Sequence, residues 1–310
     1  MTIRLSVRTA VWRSQVAQVA VSTPGLVPVI KGNGYGFGRL RLAEMAAEMS
    51  DTVAVGTIHE LDGLPPMVNP VVLTPTLTIP SVDAGATEPI LTVGRREHVE
   101  ALAGWTGRVI VKRSSSMQRY GADDMALVDD ATDAGLDVVG VAIHPPLAGS
   151  ESERLAQVES LVASIDPSLP VWLSHLTADG VGSLPSSHAY RLRLGTSLWH
   201  GDKSTLELHA DVLDVRPVRR DDVAGYRLGE VADDGHLVMI GAGTANGVAP
   251  LADGRSPFHF SRIRLALHEA PHMHTSMAFV PSGDPLPAVG DWVDLQRPLH
   301  MTTVDEYRWL

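Results

Sequence analysis

Cysteine is missing from all 310 residues. That excludes a disulfide scaffold, Cys-ligated zinc and a thiol nucleophile, and it suits a cytoplasmic setting. Positive charge is scarce: Lys and Arg number 25 against 36 Asp and Glu, a formal net charge of -11. No Lys/Arg run interrupts this acidic balance, so the chain has no general attraction for nucleic acid or an anionic membrane. Long apolar runs are also lacking. None approaches the roughly 20 residues a membrane span needs. Arg4, Arg8 and Arg13 break every apolar stretch at the N-terminus, against the pattern of a signal peptide. What remains is globular: 44% hydrophobic and 20% charged residues, enough for one large domain or two moderate ones.

From about residue 27, short β-branched runs alternate with helical patterns. Strands are expected at Val27–Lys31, Val53–Gly56, Val71–Thr74, Pro89–Val93, Arg108–Lys112, Val138–His144, Pro170–Ser174 and Arg191–Gly195. Nearly continuous apolar runs are what strands buried on both faces look like. Arg39–Met49 reads as a helix, with Leu40, Ala43, Met45, Ala46 and Met49 opposite Arg41, Glu44 and Glu48. Arg95–Ala103, Asp123–Ala134 and Glu151–Ile165 behave similarly, while the connections after strands three and seven carry Pro and Gly. The fold class expected is α/β, a (β/α)8 TIM-like barrel over residues 1–205, with an open doubly wound sheet as the alternative. Beyond Leu206 helical periodicity vanishes. Runs at Leu213–Val218, Tyr226–Val231, Leu237–Ile240, Ile263–Leu267 and Trp292–Leu295 point to a β-rich domain over 206–310. Asp233-Asp234-Gly235 reads as a hairpin turn and Pro281–Pro287 as a loop.

In a barrel of parallel strands the site lies at the strands' C-terminal ends. There the expected strands place Lys31, Lys112, His144, Ser174 with His175, and Arg193 with Gly195 and Thr196. A lone Lys at a strand end is commonly a solvated terminus. Lys31, however, opens Lys31-Gly32-Asn33-Gly34-Tyr35-Gly36-Phe37-Gly38, whose glycines permit positive φ and close approach of the backbone to a ligand.

That order resembles the pyridoxal-phosphate (PLP) lysine motif of the alanine racemase family, the fold-type III PLP enzymes. The resemblance implies that Lys31 carries the cofactor and that Tyr35 contacts its phosphate. Lys112-Arg113-Ser114-Ser115-Ser116-Met117-Gln118-Arg119-Tyr120-Gly121 resembles the family's Lys-x-Asp-Thr-Gly-Met-x-Arg-x-Gly. By that match Arg119 contacts the catalytic Tyr and the substrate carboxylate, and Lys112 is the position carbamylated in some members. Gly140–His144 is similar to the strand ending in the His beside the pyridine ring. Arg193–Gly201 resembles Arg-Pro-Gly-Ile-Ala-Leu-Tyr-Gly, so Arg193 belongs with the pyridine nitrogen, and Gly195 and Thr196 with the phosphate. In the β-rich part, Gly225-Tyr226 resembles the segment carrying a second catalytic base. Gly243–Gly247 and Met273–Met277 resemble Gly-Tyr-Ala-Asp-Gly and Met-Asp-Gln-x-Met, which makes Met273 a substrate-side residue. Read from residues alone, Tyr226 is an ordinary aromatic on a β-domain strand sooner than a base; the family match reverses that.

The resemblance implies a PLP-dependent amino-acid racemase, with alanine the first substrate to consider. Lys31 and Tyr226 would be bases on opposite faces of Cα, and Tyr226 would serve the other subunit of a homodimer. Departures fall at Thr244, His274 and Ser114, and at Ser174-His175, which stands in place of an Asn-Ser step. They bear on the substrate more than on the cofactor. Alternatives are another fold-type III enzyme, including a D-threonine aldolase with metal at His272-x-His274, and a PLP-binding protein without turnover. Nucleotide binding at Gly241–Gly247 is weakened by the lack of a helix after that segment. No metal is expected.

Overall fold

The computed structural model describes residues 2–81 and 87–310. The chain begins with β1 (Ile3–Val7) and α1 (Thr9–Val21). Strands β2 (Leu26–Pro28), β3 (Thr52–Val55), β4 (Asn69–Val72) and β5 (Leu91–Val93) follow, with α2 (Arg39–Ala47) after β2. Then come α3 (Arg96–Ala101), β6 (Arg108–Lys112), α4 (Ala126–Asp133), β7 (Asp137–Ala142) and α5 (Glu151–Val162). The alternation ends with β8 (Val171–Ser174), α6 (Ala178–Gly182), β9 (Tyr190–Leu194) and α7 (Thr196–Trp199). The long strand β10 (Leu206–Val218) opens the antiparallel part.

All eight expected barrel strands form. Six pair in parallel in the order β2-β9-β8-β7-β6-β5, and β3 pairs with β4. Two parallel bridges, Val29–Ala54 and Val71–Ile90, join the two sets, so the eight strands close on themselves. The apolar runs predicted this: β3 and β5 are buried at every position, as strands covered on both faces must be. Helix α2 turns Leu42, Ala43, Met45 and Ala46 inward. A capping box starts α5, with Ser150 and Glu153 exchanging side-chain and backbone bonds. The connections that looked weak are weak. No helix follows β4 among the described residues, and α6 has only five residues.

The molecule divides into two compact units. Gln15–Gly34 with Arg39–Gly201 forms the barrel unit; the segment up to Ser14, Tyr35–Gly38 and Asp202–Leu310 form the β-rich unit. The expected division into 1–205 and 206–310 is thus corrected at two places. Strand β1 leaves the barrel part because it pairs antiparallel with β10, from Ile3–Ala210 to Val7–Leu206. Tyr35–Gly38 follows because Phe37 packs against Trp12 with tilted rings, 4.9 Å between centroids, and stacks on Trp309.

In the β-rich unit, β10 also pairs with Gly235–Ile240 and with Trp292–Leu295. Ile3, Val238, Ile240, Phe258 and Val293 are fully buried between these strands. Three expectations change here. Tyr226 lies on no strand: only Gly229–Glu230 pairs, with Val223–Ala224, and Gly225 and Leu228 take positive φ in the turn between. The Asp233–Gly235 step does not join two mutually paired strands, because Gly235–Ile240 pairs with the longer β10 instead. The run Ile263–Leu267 breaks at buried Leu265, sending Ile263–Arg264 to Phe258–Phe260 and Ala266–Leu267 to Ser276–Pro281. Among the described residues no helix is long and apolar enough to cross a membrane.

Candidate functional site

The barrel strands deliver a cluster of cations to their C-terminal ends. Lys31 follows β2, where the amide of Ile30 is still tied to the Ala54 carbonyl at 2.8 Å. Beyond it Gly32, Gly34, Tyr35, Gly36 and Gly38 all take positive φ. This is the conformation for which glycine is the default residue. At Gly34 a side chain is also excluded by space, since a Cβ would lie 2.5 Å from the amide nitrogen of Arg39. Lys31 is exposed as a residue, yet the pKa of its amine is lowered. Partial burial is the largest cause, followed by Arg119 and Arg193, with Glu60 acting in the opposite direction.

Arg193 is 7% exposed on β9. Its Nε donates to the Leu173 carbonyl at 3.2 Å, and its Nη2 donates to the carbonyls of Ile143 (2.8 Å) and Trp172 (3.2 Å). Burial lowers its pKa to about 10, which leaves it charged near neutrality. Nη2 also donates to Ser174 Oγ at 3.4 Å. Ser174 Oγ also hydrogen-bonds His144 Nδ1, 2.5 Å away, the donor being set by the imidazole tautomer. Burial first, then Arg193 and Lys112, push the His144 pKa down to about 2, so the ring is neutral. Gly140, at φ 154, makes room for this strand end: a Cβ there would lie 2.7 Å from Trp172 Nε1 and 2.6 Å from the Pro170 carbonyl.

Lys112 closes β6 at 4% exposure, and its Nζ has no hydrogen-bond partner. Its pKa lies well below the ordinary lysine value, first through burial, then through Arg193 and Arg119. Arg119 is exposed, its guanidinium carbon 4.6 Å from the Tyr120 ring centroid. Gly195 and Thr196 begin α7, where helix amides lack a partner within their own helix.

Two further side chains stand beside this cluster. His175 takes φ 61, donates from Nδ1 to the Pro145 carbonyl at 2.8 Å, and lies 4.3 Å from the His144 ring. Glu60 is absent from the sequence candidates altogether. Its Oε2 accepts from the amides of Gly32 (3.1 Å) and Gly56 (2.7 Å). The signal was a carboxylate four residues after the glycine that ends a strand.

The other predicted residues belong to the β-rich unit. Burial pushes the Tyr35 phenol up to about 12. Tyr226 is 85% exposed on its turn, its amide donating to Glu269 Oε1 at 3.0 Å and its ring 4.4 Å from that of His272. Met273 is 67% exposed. His272 Nε2 lies 2.5 Å from Glu269 Oε1. Among the described residues no group of three or more His, Asp or Glu is placed to hold a metal. The amides of Gly241, Thr244, Ala245, Asn246 and Gly247 all bond to backbone carbonyls. That leaves those amides unavailable to cradle a nucleotide phosphate.

The family described as "Alanine racemase, N-terminal domain" matches residues 12–202. The chain belongs to the alanine racemase family. A relative named alanine racemase, from Corynebacterium efficiens, is 25% identical over 293 residues, covering 84% of this chain and 79% of that protein. Among solved structures, alanine racemase from Bartonella henselae with covalently bound pyridoxal phosphate superposes with a TM-score of 0.74 at 17% identity, covering all of both chains. The alanine racemase of the D-cycloserine producer Streptomyces lavendulae gives 0.71 at 18% identity, covering 100% of this chain and 97% of that one. The architecture of alanine racemases, a parallel barrel followed by an antiparallel sheet-rich part, is therefore that of this chain. The expected fold class holds.

The barrel's donor set fits pyridoxal phosphate. A primary amine with a lowered pKa stands at the end of the first barrel strand, among fixed cations suited to an anionic cofactor. The orphaned Nζ of Lys112 adds a buried amine donor with no protein partner.

Proposed function

We propose that this protein is a PLP-dependent amino-acid racemase that interconverts L- and D-alanine. The observation that carries the reading is Lys31: an amine on a glycine-rich loop at the barrel's catalytic end, its pKa lowered by burial, Arg119 and Arg193. Lys31, Tyr35, His144, Ser174, Arg193, Gly195 and Thr196 would hold the cofactor. When bound, pyridoxal phosphate supplies an electron sink for the charge left at Cα when its proton departs.

The chain's own groups do the rest. A lowered pKa favours the neutral form of Lys31 Nζ, which a proton acceptor needs. The Tyr226 hydroxyl would handle the proton on the opposite face of Cα. Its 85% exposure leaves it available to a second copy of the chain, which supports a homodimer with shared sites. Arg119 offers a guanidinium fork for the substrate carboxylate. Arg193, fixed by three carbonyls, would keep the cofactor's ring nitrogen unprotonated, because it does not release its own proton. Ser174 acts at one remove: its hydroxyl is occupied by His144 and Arg193. Met273 would line the substrate side.

The test begins with Lys31→Ala. The protein should lose the visible absorbance of lysine-bound cofactor, and a retained band would sink the assignment. A panel of L- and D-amino acids scored for solvent deuterium at Cα then identifies the substrate. Alanine should exchange fastest; another amino acid leading the panel would transfer the reading to that substrate.

A further inference from the structure

We propose that Glu60 is the positioning residue for Lys31. One of its carboxylate oxygens, Oε2, clamps the amide of Gly32, the first peptide after Lys31, to the amide of Gly56, which follows the neighbouring barrel strand. This deepens the reading above and rests on Lys31 being the cofactor lysine.

The geometry is specific. Gly32 follows β2 and Gly56 follows β3, so one oxygen ties two adjacent strand ends together at the mouth of the barrel. Hydrogen bonds to an ionised acceptor are roughly twice as strong as neutral ones, so the tether restrains the peptide that carries the lysine. The arrangement is reinforced from behind. Arg39, the first residue of α2, donates from Nη1 to the main-chain carbonyl of Glu60 and, at 3.1 Å, to that of Asp62. Both ends of the 31–39 loop therefore anchor on the same short turn, Ile58–Glu60.

Glycine at position 56 is required by this packing rather than by its backbone. A Cβ there would lie 2.9 Å from Glu60 Oε1 and 3.3 Å from the Cβ of Lys31. The carboxylate thus occupies the room the missing side chain leaves, beside the lysine. The charged groups acting on Lys31 are Arg119, Arg193 and Glu60, of which Glu60 alone favours the ammonium form. A group placed there does two things at once. It fixes where the amine starts from, and it opposes the two arginines that would otherwise strip its proton further.

The experiment uses the full chain freed of cofactor. Lys31 is titrated by its rate of trinitrophenylation against pH, read on the Lys31 peptide by mass spectrometry. Glu60→Gln keeps an acceptor but removes the charge, and the Lys31 midpoint should move toward acid by about one pH unit. A purely structural glue residue would lower the melting temperature and leave the midpoint where it was; that result overturns the proposal. Should Glu60→Gln fail to fold, Gly56→Ala keeps the charge and displaces the carboxylate, and must move the midpoint in the same direction by a smaller amount. An unmoved midpoint in folded Gly56→Ala refutes the clamp equally. Because the readout is Lys31's own titration, it stands whether or not Lys31→Ala abolishes cofactor absorbance, so failure here and failure of the racemase reading are separate events.

Discussion

Replacing Lys112 with Met should make the cofactor-free protein more stable at pH 7. Lys112 ends β6 almost wholly buried, its Nζ without a partner, beside two arginines. Burial of an unpaired ion costs several kcal/mol, and exchanging buried charges for well-packed apolar groups has stabilised proteins by about 1–4 kcal/mol. Met has similar length and adapts to irregular space, so a gain in that range is expected. The pH dependence has a definite sign. Lys112 has a lower pKa folded than in the unfolded chain, where it titrates near 10.4. Between those values the unfolded chain binds the extra proton, so the native protein gains stability as pH rises. Lys112→Met removes this slope. Its advantage is fully present below the folded pKa, declines as pH climbs above it, and is gone above about pH 10. Paired thermal melts across that range are the assay. A variant that melts at or below the parent temperature at pH 7 refutes the reasoning. Carbon dioxide adds a second arm. The neutral Nζ can attack its carbon, forming an N–C bond and releasing one proton, and the resulting carbamate would pair with Arg119 and Arg193. Bicarbonate should then raise the melting temperature of the parent and leave Lys112→Met unchanged.

Further outcomes are expected around the same cluster. Ser174→Ala leaves His144 Nδ1 without its hydrogen-bond partner and should cost about 1–3 kcal/mol, read by thermal melting; no loss would show that the 2.5 Å contact carries no energy. Arg193→Lys surrenders a fork that reaches three carbonyls and should cost roughly 3 kcal/mol or more, with faster cofactor release; unchanged melting would contradict the assigned bonds. His144, with its pKa near 2, should show ring proton shifts that stay flat from about pH 5 to 9. Since only the unfolded chain takes up that proton, His144 withdraws stability as pH falls below about 6.5, and a titration midpoint near 6 would contradict its burial. Tyr226→Phe should slow α-deuterium exchange of one alanine enantiomer far more than of the other; equal residual rates would count against two bases.

The barrel was legible because its signal is local. Strands such as β3 and β5 are apolar at nearly every position, and burial on both faces leaves no other reading. Lys31, Lys112, His144 and Arg193 were found by counting to the ends of those runs. What escaped depended on distant partners. Tyr226 heads the run Tyr226–Val231 that reads as strand, yet only Gly229–Glu230 pairs, and Gly225 and Leu228 turn the chain over before it. Glu60 looks like any loop acid until Gly32 and Gly56, far apart in sequence, both present it with an amide.

Strand β1 has a consequence for how the chain must assemble. Ile3–Val7 pairs on one side with residues 206–210 and on the other, in parallel, with Glu306–Trp309. During synthesis this strand must wait for both neighbours, which follow it in the sequence at residues 206–210 and 306–309. Closing loops of about 200 and 300 residues is an entropic cost met before any pairing rewards it. Until then its buried positions, Ile3, Leu5 and Val7, present an open edge to the cell. A nascent chain paused before residue 306 should be held by chaperones through this short segment, and deleting Ile3–Val7 should harm the pairing of Glu306–Trp309 more than the barrel strands.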